Sequence, residues 1–174
     1  ISNVIDELPI LAVAAALAYN LRVKSTVASV VPYVVAFGAL PAFVTLGGPS
    51  RRWPAPSAMA AAALMGAGAH FINTLPDLET DARTGVRGLP HRLGRTRSLA
   101  AGVALLGSAT MVVTFAGGTP LRRVSRVLAT AAGASIAGVA SAAVAGRQRA
   151  AWTLALGTSA VTVALFLSRS ELLG

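Results

Sequence analysis

The chain has 174 residues, 55% of them hydrophobic and only 12% charged, with a mean hydropathy of +0.68. A soluble domain carries roughly 25% charged residues, so too few polar side chains exist here to clothe a core in water, and lipid must cover the outside. The net charge of +9 does not imply nucleic acid: the fifteen Lys and Arg lie in short gaps between apolar runs, and aromatics make up only 5%, too few for stacking platforms.

Six apolar segments follow in order, A at residues 9–18, B at 27–46, C at 57–75, D at 99–115, E at 124–145 and F at 151–167. Spans of about 17–25 residues suit a helix crossing hydrocarbon. They are rich in Ala, Leu, Val and Gly and lack the period-two alternation of a membrane barrel. Gly66, Gly68, Gly133 and Gly138 are expected to let helices approach closely. Gly-Gly-Pro and two further prolines in 47–56 end B, and Gly117-Gly118-Thr119-Pro120 ends D. The expected fold is all-α, a polytopic transmembrane helical bundle of about six helices forming one domain over 1–174. Cysteine is absent, which removes disulfides and thiolate metal sites.

The connections are short except residues 76–98, which hold three of the six acids and five of the fifteen bases. Counted on alternating sides, the A–B, C–D and E–F gaps carry nine Lys and Arg and the opposite side six. This bias predicts a cytoplasmic 76–98 loop, with the A–B gap on the same side.

The chemistry is concentrated in the run from His70 to Asp81. On a continuous helix Asp77 and Asp81 share one face, with His70, Asn73 and Thr74 one and two turns back and Glu79 opposite. Two carboxylates on adjacent turns repel each other and call for a cation. Carboxylate and amide oxygens favour Mg²⁺, which takes one or two carboxylates together with substrate phosphates. The spacing is equally compatible with Asp77 and Asp81 pairing with Arg83 or Arg87 in a solvated loop. His70 reads either as a group that contacts an acceptor or tunes the carboxylates, or as a hydrogen-bonded structural histidine. His91 is expected to be solvated, and Trp53 and Trp152 to be interfacial anchors.

The stretch Asn73-Thr-Leu-Pro-Asp77-Leu-Glu-Thr-Asp81-Ala-Arg-Thr-Gly85-Val-Arg-Gly-Leu-Pro90-His-Arg-Leu-Gly94 resembles the second aspartate-rich motif of the UbiA-type intramembrane prenyltransferases, including its D-x-x-G-x-x-x-L-P-x-x-L-G loop. Tyr19-Asn-Leu-Arg-Val-Lys24-Ser-Thr resembles the family's Tyr…Lys-Arg-Thr element, and Ser29-Val-Val-Pro32-Tyr33 its following helix. The resemblance implies a nine-helix bundle of which this chain matches the last six. Two aspartate motifs would face each other across a cavity and bind Mg²⁺ and the diphosphate of an isoprenyl donor.

By the same resemblance, Asp77 and Asp81 would be the catalytic, Mg²⁺-binding aspartates. Lys24, Tyr19 and Asn73 would bind substrate, and Arg87 would contact the diphosphate or simply mark the cytoplasmic face; His70 joins the substrate-binding candidates by its position on the face of Asp77. Thr74 stands where many members have Asp, and Ser25 where the family has Arg. The implied partners are a polyprenyl diphosphate, a small, often aromatic acceptor and membrane lipid, without nucleic acid. The family's first motif, N-D-x-x-D-x-x-x-D, does not occur in this sequence. That absence, with Ile1 in place of an initiator methionine, predicts a fragment of a longer chain. The rival expectation is a non-catalytic homologue or one part of a split bundle.

Overall fold

The computed structural model describes residues 10, 13, 14, 17, 23–49, 51–116, 120–169 and 172. Two short 3₁₀ turns, Val23–Ser25 and Val27–Val30, lead into α1 (Val31–Gly47), followed by α2 (Pro56–Thr74), α3 (Leu78–Arg83), α4 (Leu89–Phe115), α5 (Arg123–Val144) and α6 (Gln148–Leu167). Among the described residues there is no strand, and the fold is an all-α bundle. Segments B to F become α1, α2, α4, α5 and α6. Of segment A, Ile10, Val13, Ala14 and Leu17 are helical, and its other residues lie outside the described ones.

Four helical spans, Val27–Gly47, Leu89–Phe115, Arg123–Val144 and Gln148–Leu167, are long and apolar enough to cross a membrane. They expose large apolar side chains such as Val35, Phe43, Met111, Val127 and Val163, surface that water would penalise and lipid tolerates. This is the exterior of an integral membrane protein. Helix α2 is not among the four, although it matches segment C. It lies between α1 and α4, so most of its small residues, and His70, meet protein.

The packing of α2 is close because it carries glycine at the contacts. A Cβ on Gly68 would lie 3.1 Å from the Gly102 carbonyl oxygen, and one on Gly102 would lie 2.7 Å from Ile72 Cδ1. The two backbones approach as only small residues permit. The same expectation fails for Gly133, where a Cβ would meet nothing within 4 Å, and for Gly138, whose contact to Leu154 at 3.5 Å is ordinary. Instead, α5 and α6 join through hydroxyls, with Ser135 Oγ 2.7 Å from Thr158 Oγ1. They dock on α4, where Thr110 and Thr162 are 3.0 Å apart.

Helix α4 begins ten residues earlier than segment D because charge at a membrane boundary does not prevent a helix. It is interrupted at Gly94 (φ 76°, ψ 170°), a conformation that only glycine adopts readily. The buried Ser98 hydroxyl donates to the Pro90 carbonyl across the break (2.8 Å), satisfying an acceptor that the kink strips of its helical partner.

The ends of the bundle follow the predicted alternation. At one end Leu89 N–H donates to Ser29 Oγ. At the other, Ala55 N–H donates to the Leu172 carbonyl (3.0 Å) and Ser125 pairs with Ser168 (3.0 Å). Arg169, counted from the sequence as a loop cation, is in fact 2% exposed and donates to the Thr114 carbonyl (3.2 Å).

Candidate functional site

At the end where the A–B and C–D gaps meet, a cavity of about 200 Å³ opens between the 3₁₀ turns, α2, α3 and the start of α4. Lys24 and Ser29 line it from the turns, His70 and Thr74 from α2, Asp81 from α3, and Val86, Gly88, Pro90 and His91 from the following loop and α4. Thr26 shapes the first wall: its hydroxyl accepts from Ala28 N–H (3.1 Å) and donates to the Val23 carbonyl (2.9 Å), capping the second turn.

Ser29 fastens the cavity. It is fully buried, its Oγ accepts from Leu89 N–H (3.0 Å), and it lies 3.1 Å from His70 Nε2. One hydroxyl therefore ties together the turns, α2 and α4. The His70 ring also lies 4.7 Å from that of Tyr33 on α1.

The single helix expected through 70–81 is broken in two. Pro76 has no N–H to give the Ile72 carbonyl, and Leu75 N–H takes that acceptor instead (3.2 Å). Helix geometry resumes at once, with Asp81 N–H donating to the Asp77 carbonyl (2.8 Å). Asp77 and Asp81 thus keep their one-turn spacing, on a helix separate from His70 and Asn73.

After α3 the chain reverses at Gly85 (φ 83°), where Val86 N–H reaches the Asp81 carbonyl (3.0 Å) and Gly85 N–H that of Ala82 (3.4 Å). This is a Schellman closure, which favours glycine at the left-handed position. It returns the loop so that Gly88 sits under the Lys24 carbonyl. Any Cβ there would collide with that oxygen and lie 2.9 Å from Ser29 Oγ.

Asp81 pairs with His91, Nε2 to Oδ2 3.4 Å, and with neither Arg83 nor Arg87. The His91 side chain is only 7% exposed, so the expectation of a solvated histidine is corrected. The Gly85 reversal and the start of α4 fold it inward. Sequence reasoning had also passed over Ser29, whose one signal was a hydroxyl in an apolar run shortly after Lys24.

Of the residues singled out from sequence, Lys24, His70 and Asp81 line the cavity together. Asp77, Asn73 and Arg87 are exposed and do not line it; Arg87 offers only its carbonyl, to Arg92 Nε (3.0 Å). Tyr19 lies outside the described residues. No three His, Asp or Glu among the described residues are grouped to hold a metal. Of the two aspartates Asp81 alone lines the cavity; carboxylate oxygens are the kind of donor that Mg²⁺ takes together with substrate phosphate.

An apolar groove of about 250 Å³ lies between α1, α2 and α6, lined by Phe37, Leu40, Met65, Val163 and Phe166 among others. Tyr33 links the two spaces: it touches His70 in the cavity and stacks on Phe37 in the groove, at 6.4 Å between ring centroids. The fold and site thus define an all-α integral membrane protein with a polar cavity at one end of its bundle and an apolar groove beside it. No protein-family model matches the chain, and no curated protein or solved structure is detectably similar to it.

Proposed function

We propose that this chain is the larger part of a UbiA-type intramembrane prenyltransferase that transfers a polyprenyl group from an isoprenyl diphosphate to an acceptor, often aromatic. One observation carries the reading. The two stretches that resemble the family's motifs, far apart in sequence, fold against each other so that Lys24 and Asp81 line one cavity. A polar cavity and an apolar groove, with the Tyr33 ring between His70 of the one and Phe37 of the other, suit a substrate with a charged head and a hydrocarbon tail.

In the reaction the allylic C–O bond of the donor breaks and pyrophosphate leaves. The acceptor supplies the electron pair for the new C–C or C–O bond and releases a proton. Lys24 offsets charge developing on the diphosphate. Asp81 and Asp77 would hold Mg²⁺, which supplies further stabilisation of that leaving group. His91 Nε2 stands 3.4 Å from the Asp81 carboxylate, and the apolar walls exclude water from a reactive cation.

The natural full-length protein, reconstituted in lipid, is expected to release pyrophosphate from a polyprenyl diphosphate only with Mg²⁺ and an acceptor. Asp81→Ala and Asp77→Ala should each lower turnover by orders of magnitude while leaving membrane insertion intact. Undiminished turnover in both would overturn the assignment. A second reading, a non-catalytic homologue or one part of a split bundle, is favoured by Asp77 lying exposed outside the cavity that Asp81 lines. It predicts no pyrophosphate release by the full-length protein unless a second chain carrying that motif is added.

The same reading places the chain in a bacterial-type plasma membrane with residues 76–98 in the cytoplasm. Because the chain contains no cysteine, Thr96→Cys gives an unambiguous probe. A membrane-impermeant maleimide should label it in lysed cells and not in intact ones, and labelling in intact cells would reverse the orientation.

A further inference from the structure

Helix α3 has a second flank, facing away from the Lys24–Asp81 cavity. There a groove of about 660 Å³ runs between α3, α4 and the start of α6, lined by Leu75, Pro76, Glu79, Arg95, Gln148, Arg149, Trp152 and Thr153. It lies at the same end of the bundle, where apolar helices give way to charged loops.

Three observations describe what the groove would accept. First, its lining charges do not balance. Glu79 is matched by Arg95 at 3.6 Å, while Arg149, at the first turn of α6, has no acid among the described residues. Second, Trp152 lines the groove while its indole N–H is shielded from solvent, so what this residue offers an occupant is its apolar ring. Third, the walls are mixed: Leu75, Pro76 and the Trp152 ring are apolar, whereas Arg95, Gln148 and Arg149 offer donors, the Thr153 hydroxyl being given to the Arg149 carbonyl (3.1 Å). An occupant with an anionic, oxygen-rich head and adjoining hydrocarbon satisfies all three.

We propose that this groove binds the phosphate headgroup of an anionic phospholipid. Arg149 is the principal charge, Gln148 adds a hydrogen bond, and Arg95 exchanges Glu79 for phosphate. Arginine suits the task through its forked donors, and basic pockets between helices at a membrane boundary take anionic headgroups. The site is independent of the proposed catalysis, which uses the other flank of α3.

The test uses the full chain with Trp53→Phe, which removes the tryptophan at the opposite end and leaves Trp152 as the sole reporter. In neutral detergent micelles, added phosphatidylglycerol should change Trp152 emission saturably, while phosphatidylcholine should not. Arg149→Gln, at an exposed position, should weaken the response about tenfold, the loss of one charge-assisted hydrogen bond. Glu79→Gln should strengthen it, a gain that misfolding would not produce. Equal responses to the two lipids would overturn the proposal, as would an Arg149→Gln response matching that of the parent. Saturation of the same change by inorganic phosphate alone would overturn the lipid assignment in favour of a soluble anion.

Discussion

Helices α2 and α5 have similar lengths, nineteen and twenty-two residues, and are both built largely of alanine and other small side chains, yet they live in different solvents. Ten residues of α2 are buried, including His70, against four of α5. Helix α5 carries Val124, Val127 and Val144 outward and meets the lipid criterion; α2 carries His70 and Asn73 and does not. A polar residue in a bundle of this kind is tolerated where protein supplies its partner. Interior position therefore coincides with the capacity to build a site.

Three pairs of substitutions probe that contrast, in descending order of effect. Gly68→Leu should cost about 3 kcal/mol or more, because the side chain has to enter the space held by Leu106 and the Gly102 carbonyl. Gly133→Leu, with nothing within 4 Å, should leave thermal unfolding in detergent nearly unchanged. Equal losses in the two would erase the distinction between an interior and an outer helix.

Ser29→Ala should cost about 1–3 kcal/mol, since the part-buried Leu89 N–H loses its acceptor and the buried His70 loses this contact. Ser135→Ala should be close to neutral, because Thr158 keeps its bond to the Leu154 carbonyl (2.9 Å). Chemical denaturation monitored by helical circular dichroism separates them, and a larger loss for Ser135→Ala would invert the comparison. Smallest, Thr110→Val should cost about 0.6 kcal/mol, the average for an interhelical hydrogen bond in a membrane bundle. Val127→Ala, on a lipid-facing position, should change less still in the same assay.

The spans were legible in the sequence because bilayer thickness sets a length that composition must match. Five of the six apolar segments reappear within a few residues, apart from the early start of α4. That start was hidden by His91, Arg92, Arg95 and Arg97, which look like loop in one dimension and lie on a helix bent at Gly94. Within the cavity, His70 and Asp81 were marked by their spacing and Lys24 by the resemblance alone. Ser29 and His91 were not, because their significance depends on the contact between the turns and the C–D loop, which no local pattern encodes. The break at Pro76 could have been anticipated from the missing N–H, yet the one-turn relation of Asp77 and Asp81 survives it.

The Ser29–Leu89 bond joins residues sixty positions apart, and this has a consequence for biogenesis. As the chain emerges, the turns bearing Lys24 and the whole of α1 and α2 are complete before the residue that fastens them exists. The polar mouth therefore lacks its α4 wall through the insertion of two helices and gains it only when Leu89 arrives, a late event governed by the slow search for a non-local contact. Truncated chains ending before residue 89 should accordingly hold Lys24 open to proteases or chemical labels, a vulnerable window during synthesis that the finished protein no longer presents.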